Sequence, residues 1–333
     1  MKCLAIADLF IDPKMMKAGL TDLVEAGFDI DIKMWHHSSL DNLQKDNITL
    51  EQQGSDAIPL PEALLEGIDQ YDWIITQFAP IGKTTLDKAT KVKGVGVLRA
   101  GIENVAVEYA ASRGIHVINT PGRSETSVSE FTIGLILSEI RNIARGHQKL
   151  QDNQWVKAYP NGILAPELKE STIGLIGYGA IGQRVANLLR PFGGKIIFYD
   201  AYYNGATIDQ QVSLSYLIEQ ADIISMHYRL TEETRGMLNH THFSKMKANA
   251  VVINSARSGL ISEPDLIEAL QNQRIAGAAI DVFEQEPLPA DHPYLSLDNL
   301  TITPHIAGST YGNFANSPRI LAKRIVNLLA EEK

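Results

Sequence analysis

Apolar and polar residues follow two periods along the first 121 residues of the chain. Short apolar runs predict strands at 4–7, 28–34, 72–76, 94–98 and 115–119. Between them, apolar residues recur at helical spacing over 13–26 and 105–112, whereas the polar stretch 44–56 follows neither period. Strands that alternate with helices predict a parallel sheet with helices on its faces.

A long helical pattern at 124–150 precedes a second series of strands. Apolar residues recur on one face of this predicted helix, among them Phe131, Leu135 and Ile140. Six further apolar runs predict strands at 172–176, 196–200, 222–227, 250–254, 276–281 and 299–303. A chain of 333 residues suits about two domains. The predicted fold class is therefore α/β, with two parallel-sheet domains.

The run 172–176 ends in a glycine-rich turn that reads G-x-G-x-x-G. Gly177, Gly179 and Gly182 form the motif, a helical pattern follows, and Asp200 ends the next apolar run. This order of strand, glycine turn, helix, strand and acid is typical of a βαβ unit that binds a dinucleotide. The helix N-terminus attracts the pyrophosphate. A carboxylate at Asp200 suits a ribose hydroxyl and repels a 2′-phosphate, which favours NAD over NADP. A tight turn without a ligand is the alternative.

Composition excludes several other classes of protein. The net charge is −9, which argues against nucleic acid and an anionic membrane surface as partners. The single cysteine, Cys3, excludes an intramolecular disulfide and fits a reducing compartment, so we expect a cytoplasmic protein. No uncharged apolar stretch is long enough to span a bilayer. We predict no metal site.

Three polar residues near predicted strand ends are candidates for chemistry. Arg257 follows the strand 250–254, where ligands of a doubly wound sheet bind, and its guanidinium suits a carboxylate. Glu286 lies in the turn after the strand 276–281, and His305 follows the last strand. Taken singly, each has an ordinary alternative: a surface arginine, a solvated acid and a structural histidine.

The order of these motifs resembles the D-isomer-specific 2-hydroxyacid dehydrogenase family. After the glycine-rich unit come N-S-A-R-S-G at 254–259, I-D-V-F-E-Q-E-P at 280–287 and T-P-H-I-A-G-S-T at 303–310. Upstream, G-I-E-N-V at 101–105 and R-G-I-H-V-I-N-T-P-G at 113–122 are similar to further family motifs. Within this family the chain resembles phosphoglycerate dehydrogenase, and we expect it to have no C-terminal regulatory domain. It implies an NAD-dependent oxidoreductase that transfers a hydride between nicotinamide and a small D-2-hydroxy acid or 2-keto acid. Phosphorylated and sugar-derived acids remain open as substrates.

The resemblance also implies the arrangement of the domains. A discontinuous substrate domain comprises 1–121 and 301–333, and a Rossmann-like NAD-binding domain comprises 122–300. Both are Rossmann-like or flavodoxin-like, and a cleft between them holds the nicotinamide. The expected assembly is a homodimer, with the 124–150 helix and the segment to 170 at the interface.

Roles for particular residues follow from the resemblance, position by position. Arg257 binds the substrate carboxylate, His305 exchanges the proton, and Glu286 orients His305 and stabilises its protonated form. The backbone of Ala100 and Gly101 binds the substrate carboxylate, and Arg99 either binds a second anionic group or forms an ion pair within the protein. The expected cofactor contacts are Gly177, Gly179, Ala180, Ile181, Gly182, Asp200, Ser255, Ala256, Asp281 and Gly308.

Two alternatives to a D-2-hydroxyacid dehydrogenase remain. A corepressor-like protein uses the same fold as an NAD-sensing binding module and retains the same three residues. A formate dehydrogenase-like enzyme pairs its histidine with glutamine, and Glu286 argues against it. The chain also departs from the family pattern H-x-P-L-T, because Arg229 occupies the proline position in the run 227–231.

Overall fold

A computed structural model describes residues 1–161 and 165–331. The chain forms two compact units, the first comprising Met1–Ser124 with Ser309–Lys333 and the second comprising Glu125–Gly308. These divisions differ by a few residues from the predicted ones. In particular, residues 301–308 belong to the second unit, because the strand that contains Thr301 pairs with its neighbour in the sheet of that unit.

The first unit contains a five-stranded parallel sheet. Its strands are β1 (Lys2–Ala7), β2 (Asp29–Met34), β3 (Trp73–Thr76), β4 (Gly94–Val97) and β5 (His116–Ile118). They lie in the order β2-β1-β3-β4-β5, and every pair is parallel. This is the flavodoxin-like order. Both β3 and β4 are buried throughout, as expected for strands covered on both faces.

Helices cover this sheet, and three of them differ from the sequence prediction. The helices are α1 (Pro13–Gly19), α2 (Thr21–Glu25), α3 (Leu40–Gln53), α4 (Glu62–Leu65), α5 (Lys83–Lys88), α6 (Val107–Ser112) and α13 (Tyr311–Glu331). The helix predicted over 13–26 is divided into α1 and α2 at Leu20, after Gly19, a residue that disfavours helix interiors. Most of the unassigned polar stretch 44–56 lies in α3, which buries only Leu43 and Leu50.

The second unit contains a seven-stranded parallel sheet. Its strands are β6 (Thr172–Ile176), β7 (Lys195–Tyr199), β8 (Gln210–Gln211), β9 (Ile223–Met226), β10 (Val251–Asn254), β11 (Gly277–Ile280) and β12 (Leu300–Ile302). The order is β12-β11-β10-β9-β6-β7-β8. The strands β7 and β8 are added on one side of β6, and β9 to β12 are added on the other. This is the Rossmann order, extended by one strand, with the switch point beside β6. The two parallel α/β sheets confirm the predicted fold class.

The helices of the second unit are α7 (Glu125–Ile140), α8 (Ile143–Gln151), α9 (Ala180–Leu189), α10 (Leu214–Gln220), α11 (His240–Phe243) and α12 (Glu263–Gln271). The prediction of a single helix over 124–150 is wrong, because the chain turns at Asn142, which has φ 55°, between α7 and α8. Asparagine tolerates this left-handed conformation better than most residues. The Asn142 amide also donates to Asn161 Oδ1 at 2.9 Å, which fixes the break. Among the described helices, none has the length and apolar character needed to cross a membrane.

Candidate active site

The glycine-rich turn after β6 has a shape that only glycine permits at two positions. Gly177 has φ +100°, and a Cβ there would lie 2.7 Å from the His227 carbonyl carbon. A Cβ at Gly182 would lie 2.2 Å from the Gly177 carbonyl oxygen. At Gly179, by contrast, a Cβ would meet no atom within 4 Å, so the turn is open there.

The N-terminus of α9 follows this open turn. Ala180, Ile181 and Gly182 form its first turn, whose N–H groups have no intrahelical acceptor. Partial positive charge at a helix N-terminus, reached through an open glycine turn, fits the pyrophosphate of a dinucleotide. These residues therefore fit NAD.

Asp200 lies directly after β7, beside the glycine turn. Its Oδ2 accepts a hydrogen bond from the Tyr178 N–H at 2.7 Å, and its Oδ1 accepts one from the Tyr202 N–H at 2.9 Å. The Tyr228 hydroxyl accepts from the Ala201 N–H at 2.7 Å. The carboxylate that would select a ribose hydroxyl is thus fixed from both sides.

His305 and Glu286 form a close pair. His305 Nδ1 lies 3.0 Å from Glu286 Oε1 and 2.8 Å from Oε2. The hydrogen bond to Glu286 raises the pKa of His305, and it outweighs burial, which acts to lower that pKa. Burial acts to raise the pKa of Glu286, but the hydrogen bond and charge of His305 prevail and lower it. The pair therefore favours an imidazolium beside a carboxylate.

The turn that carries His305 is held by Asp281. His305 has φ 51°, which is uncommon outside glycine. Asp281 is fully buried and accepts three hydrogen bonds from this turn: from Thr303 Oγ1 at 2.6 Å, and from the N–H groups of Ile306 at 3.0 Å and Ala307 at 2.9 Å. Asp281 thus supports the turn that ends at Gly308, and its contact with the cofactor stays a prediction.

Arg257 extends from the turn after β10. Its side chain is exposed, its Nη1 donates to the Ala256 carbonyl oxygen at 2.7 Å, and its charge lowers the pKa of Glu286. The neighbouring Ser255 is buried, and its hydroxyl lies 2.8 Å from that of Thr132 on α7. The second unit therefore brings Arg257, Glu286 and His305 into one electrostatic group at the carboxyl edge of its sheet.

Arg99, in the first unit, is in an ion-pair network. Its side chain is only 7% exposed, and it donates to Glu51 Oε1 at 2.6 Å and to Glu103 Oε2 at 2.8 Å. Asn47 Oδ1 accepts a further bond at 2.8 Å. Two carboxylates neutralise this guanidinium, so the structure favours the ion-pair alternative over a free anion-binding group.

Ala100 and Gly101 continue the loop after β4. Ala100 is exposed and Gly101 is half-buried. Within the described residues, their backbone N–H groups donate no hydrogen bond. A Cβ at Gly101 would lie 2.4 Å from Glu103 Oε2, so a larger residue there would displace the Glu103 carboxylate. Two available N–H groups fit the predicted carboxylate contact.

Sequence reasoning missed several residues that support the site. Tyr178 and Tyr228 hold the end of β7, and Asn254 bonds to the turn that carries Arg257. His227 is half-buried beside the glycine turn with its Nε2 inaccessible to solvent, and desolvation there lowers its pKa to about 4 and keeps the ring neutral. Only their position at strand ends was visible in the sequence.

Comparison with known proteins agrees with this geometry. The model of the D-isomer specific 2-hydroxyacid dehydrogenase NAD-binding domain matches residues 133–307. The chain is 36% identical over 287 residues to a glyoxylate reductase of Thermofilum pendens, covering 84% of this chain and 85% of that protein. The chain belongs to the D-isomer specific 2-hydroxyacid dehydrogenase family, as the motifs predicted. It is an NAD-dependent dehydrogenase of 2-hydroxy acids.

Two further comparisons extend the match. A hydroxypyruvate reductase of Thermotoga maritima is 40% identical over 256 residues, covering 75% of this chain and 82% of that protein. The solved structure of the TT0316 protein from Thermus thermophilus superposes with a TM-score of 0.76 at 28% identity, covering 99% of this chain and 97% of that one.

Proposed function

We propose that this enzyme uses NADH to reduce small 2-keto acids carrying a single negative charge, such as glyoxylate and hydroxypyruvate, to the corresponding 2-hydroxy acids, with the D configuration where the product is chiral. The observation that carries the proposal is the His305–Glu286 pair, 2.8 Å apart, with the charge of Arg257 acting on it. Such a pair holds an imidazolium ready to donate a proton. Reduction of the substrate carbonyl group to an alcohol requires that proton.

The residues of the second unit divide the chemistry among them. NADH, when bound, supplies the hydride. Arg257 binds the substrate carboxylate through its planar guanidinium. His305 Nδ1 faces Glu286, so Nε2 is the ring nitrogen that gives a proton to the developing alkoxide oxygen. Glu286 keeps the ring in this orientation and stabilises the imidazolium until the proton has moved.

The substrate class follows from the state of Arg99 and from two relatives. A second anionic group on the substrate would be bound most strongly by a free cation, whereas Arg99, the arginine of this loop, is already paired with Glu51 and Glu103. The loop at Ala100 and Gly101 offers backbone N–H groups instead, which suit one carboxylate. The matched relatives named as glyoxylate reductase and hydroxypyruvate reductase use substrates of this size.

A panel of 2-keto acids tests the proposal. We expect NADH-dependent turnover of glyoxylate and hydroxypyruvate, with a lower kcat/KM for phosphorylated or dicarboxylic keto acids. We also expect NADPH to be the poorer cofactor, because the fixed Asp200 carboxylate repels a 2′-phosphate. Equal use of NADPH contradicts the role of Asp200. The absence of turnover with every keto acid would instead support a binding module.

We infer that the enzyme is a homodimer that associates through α8 and the residues after it. Ile143, Leu150 and Trp155 expose 59%, 57% and 80% of their surfaces, and α8 buries none of its own side chains within the described residues. Exposed apolar groups on an amphipathic helix favour association. The predicted interface segment also includes residues 162–164, which lie outside the described residues.

We expect Trp155→Glu to shift the protein from dimer to monomer in sedimentation velocity, since a carboxylate would be buried unpaired in the interface. Ile208→Glu is the matched control, because Ile208 is 84% exposed in the same unit and far from α8 in sequence. A dimer that survives the Trp155 change at micromolar concentration would contradict this interface.

A further inference from the structure

We propose that Asn254 is a positioning residue that acts through Arg257. The inference rests on the proposed function, in which Arg257 binds the substrate carboxylate. Asn254 is the last residue of β10 and is only 1% exposed. It therefore does not present its amide to solvent, and its role must be sought in what the amide touches.

The Asn254 side-chain amide accepts one hydrogen bond from the next turn and donates one to it. Its Oδ1 accepts from the Ala256 N–H at 3.0 Å, and its Nδ2 donates to the Arg257 carbonyl oxygen at 2.9 Å. The backbone carbonyl of Asn254 accepts from the Asp281 N–H at 3.0 Å, within the sheet. The turn that carries Arg257 is thus fixed to the rigid strand by one buried side chain.

This attachment matters because the Arg257 side chain has little other support. The residue is exposed and its backbone is extended, with φ −146° and ψ 139°. Its guanidinium bonds only to the adjacent Ala256 carbonyl among the described contacts. A long side chain can bind a carboxylate in a fixed geometry only if its Cα is fixed. Small displacements of such a group cost large factors in rate.

The chemistry of the turn requires an amide at position 254. The neighbouring strand end shows the contrast, because Asp281 there meets only donors, two N–H groups and a hydroxyl. Asn254 meets one donor and one acceptor, the Ala256 N–H and the Arg257 carbonyl. A carboxylate at 254 would retain the first bond and place an anionic oxygen against the Arg257 carbonyl oxygen. Asn254→Asp is therefore the informative substitution.

We expect Asn254→Asp to lower kcat/KM for hydroxypyruvate roughly 10- to 100-fold. The affinity for NADH, measured by fluorescence titration, should stay within about twofold, because aspartate retains the bond from the Ala256 N–H beside the predicted cofactor contacts and the glycine turn is unchanged. Oxamate, a keto-acid analogue, should bind more weakly to the enzyme–NADH complex. The control is Asn299→Asp, which alters a buried amide at the opposite edge of the sheet, where Nδ2 donates to the Leu270 carbonyl at 3.1 Å.

A double-mutant cycle with Arg257→Lys tests whether Asn254 acts through Arg257. If Asn254 acts through Arg257, Asn254→Asp should lower kcat/KM by a much smaller factor in the Arg257→Lys background than in the wild type. An equal loss in both backgrounds, or no loss in either, would overturn the inference. Should Asn254→Asp fail to fold, Asn254→Ser serves in the same cycle, since serine is too short to bond to both partners. A wild-type rate for Arg257→Lys alone would instead overturn the proposed role of Arg257.

Discussion

Replacing His305 with alanine is expected to lower kcat for keto-acid reduction by roughly 10²- to 10⁴-fold, the range of general acid–base catalysis. The ring that donates the proton is removed, whereas the glycine turn and Asp200 are untouched. The measurement is the rate of NADH oxidation at saturating keto acid, together with the dissociation constant of NADH. A loss of NADH affinity equal to the loss of rate would show that His305 serves cofactor binding instead.

The pH dependence of the reduction and oxidation rates tests the role of Glu286, the partner of His305. Glu286 raises the pKa of His305, so Glu286→Gln should lower it. Reduction needs the imidazolium, and its rate should therefore decline at lower pH in the variant than in the wild type. Oxidation of the D-hydroxy acid needs the neutral imidazole, so its rate should rise at lower pH. Glu284→Gln, an exposed acid two residues away, is the control and should shift neither profile.

Replacing Arg145 with methionine is expected to destabilise the enzyme by about 3–5 kcal/mol, the cost of leaving one member of a buried ion pair without its partner. Glu139 is fully buried, Arg145 is 9% exposed, and Nη2 lies 2.8 and 2.9 Å from the two carboxylate oxygens. Thr301 on β12 donates to the same carboxylate at 2.7 Å. The pair thus connects α7, α8 and the sheet, and its loss should be visible in chemical denaturation.

The pH dependence of this effect provides a second check. Burial raises the pKa of Glu139, and Arg145 acts to lower it. Without Arg145 the folded-state pKa should rise further above its unfolded value, so the folded protein binds a proton more readily. The destabilisation should therefore be smaller at mildly acidic pH and grow as pH rises. The control Lys169→Met, which breaks the exposed pair with Glu167, should cost little at either pH.

Residues of the candidate site differ in how far the sequence could predict them. The βαβ unit with Gly177, Gly182 and Asp200 was visible because strand, turn and helix are local and their glycines are required by close backbone approach. The chemistry of His305 and Glu286 was visible only through the order of motifs. Nothing local indicates that residues 19 positions apart bond at 2.8 Å.

The role of Arg99 could not be predicted from the sequence of the loop in which it lies. The sequence left open an anion-binding group and an ion pair with the protein. Glu51 lies 48 positions away on α3, the helix that polar composition had left unassigned. Its partner could not be predicted, because the contact depends on how α3 packs.

The sequence by itself determined the family, the alternation of strands and helices, and the residue types available for chemistry. Those features depend on periodicity and on short motifs, in which neighbours along the chain are neighbours in space. Only the tertiary structure decided that Asn142 divides the long helix, that Arg99 is neutralised, and that Asn254 and Asp281 support the turns of Arg257 and His305. These contacts join separate strands and helices, and a buried polar group takes the partner that packing brings within hydrogen-bonding distance.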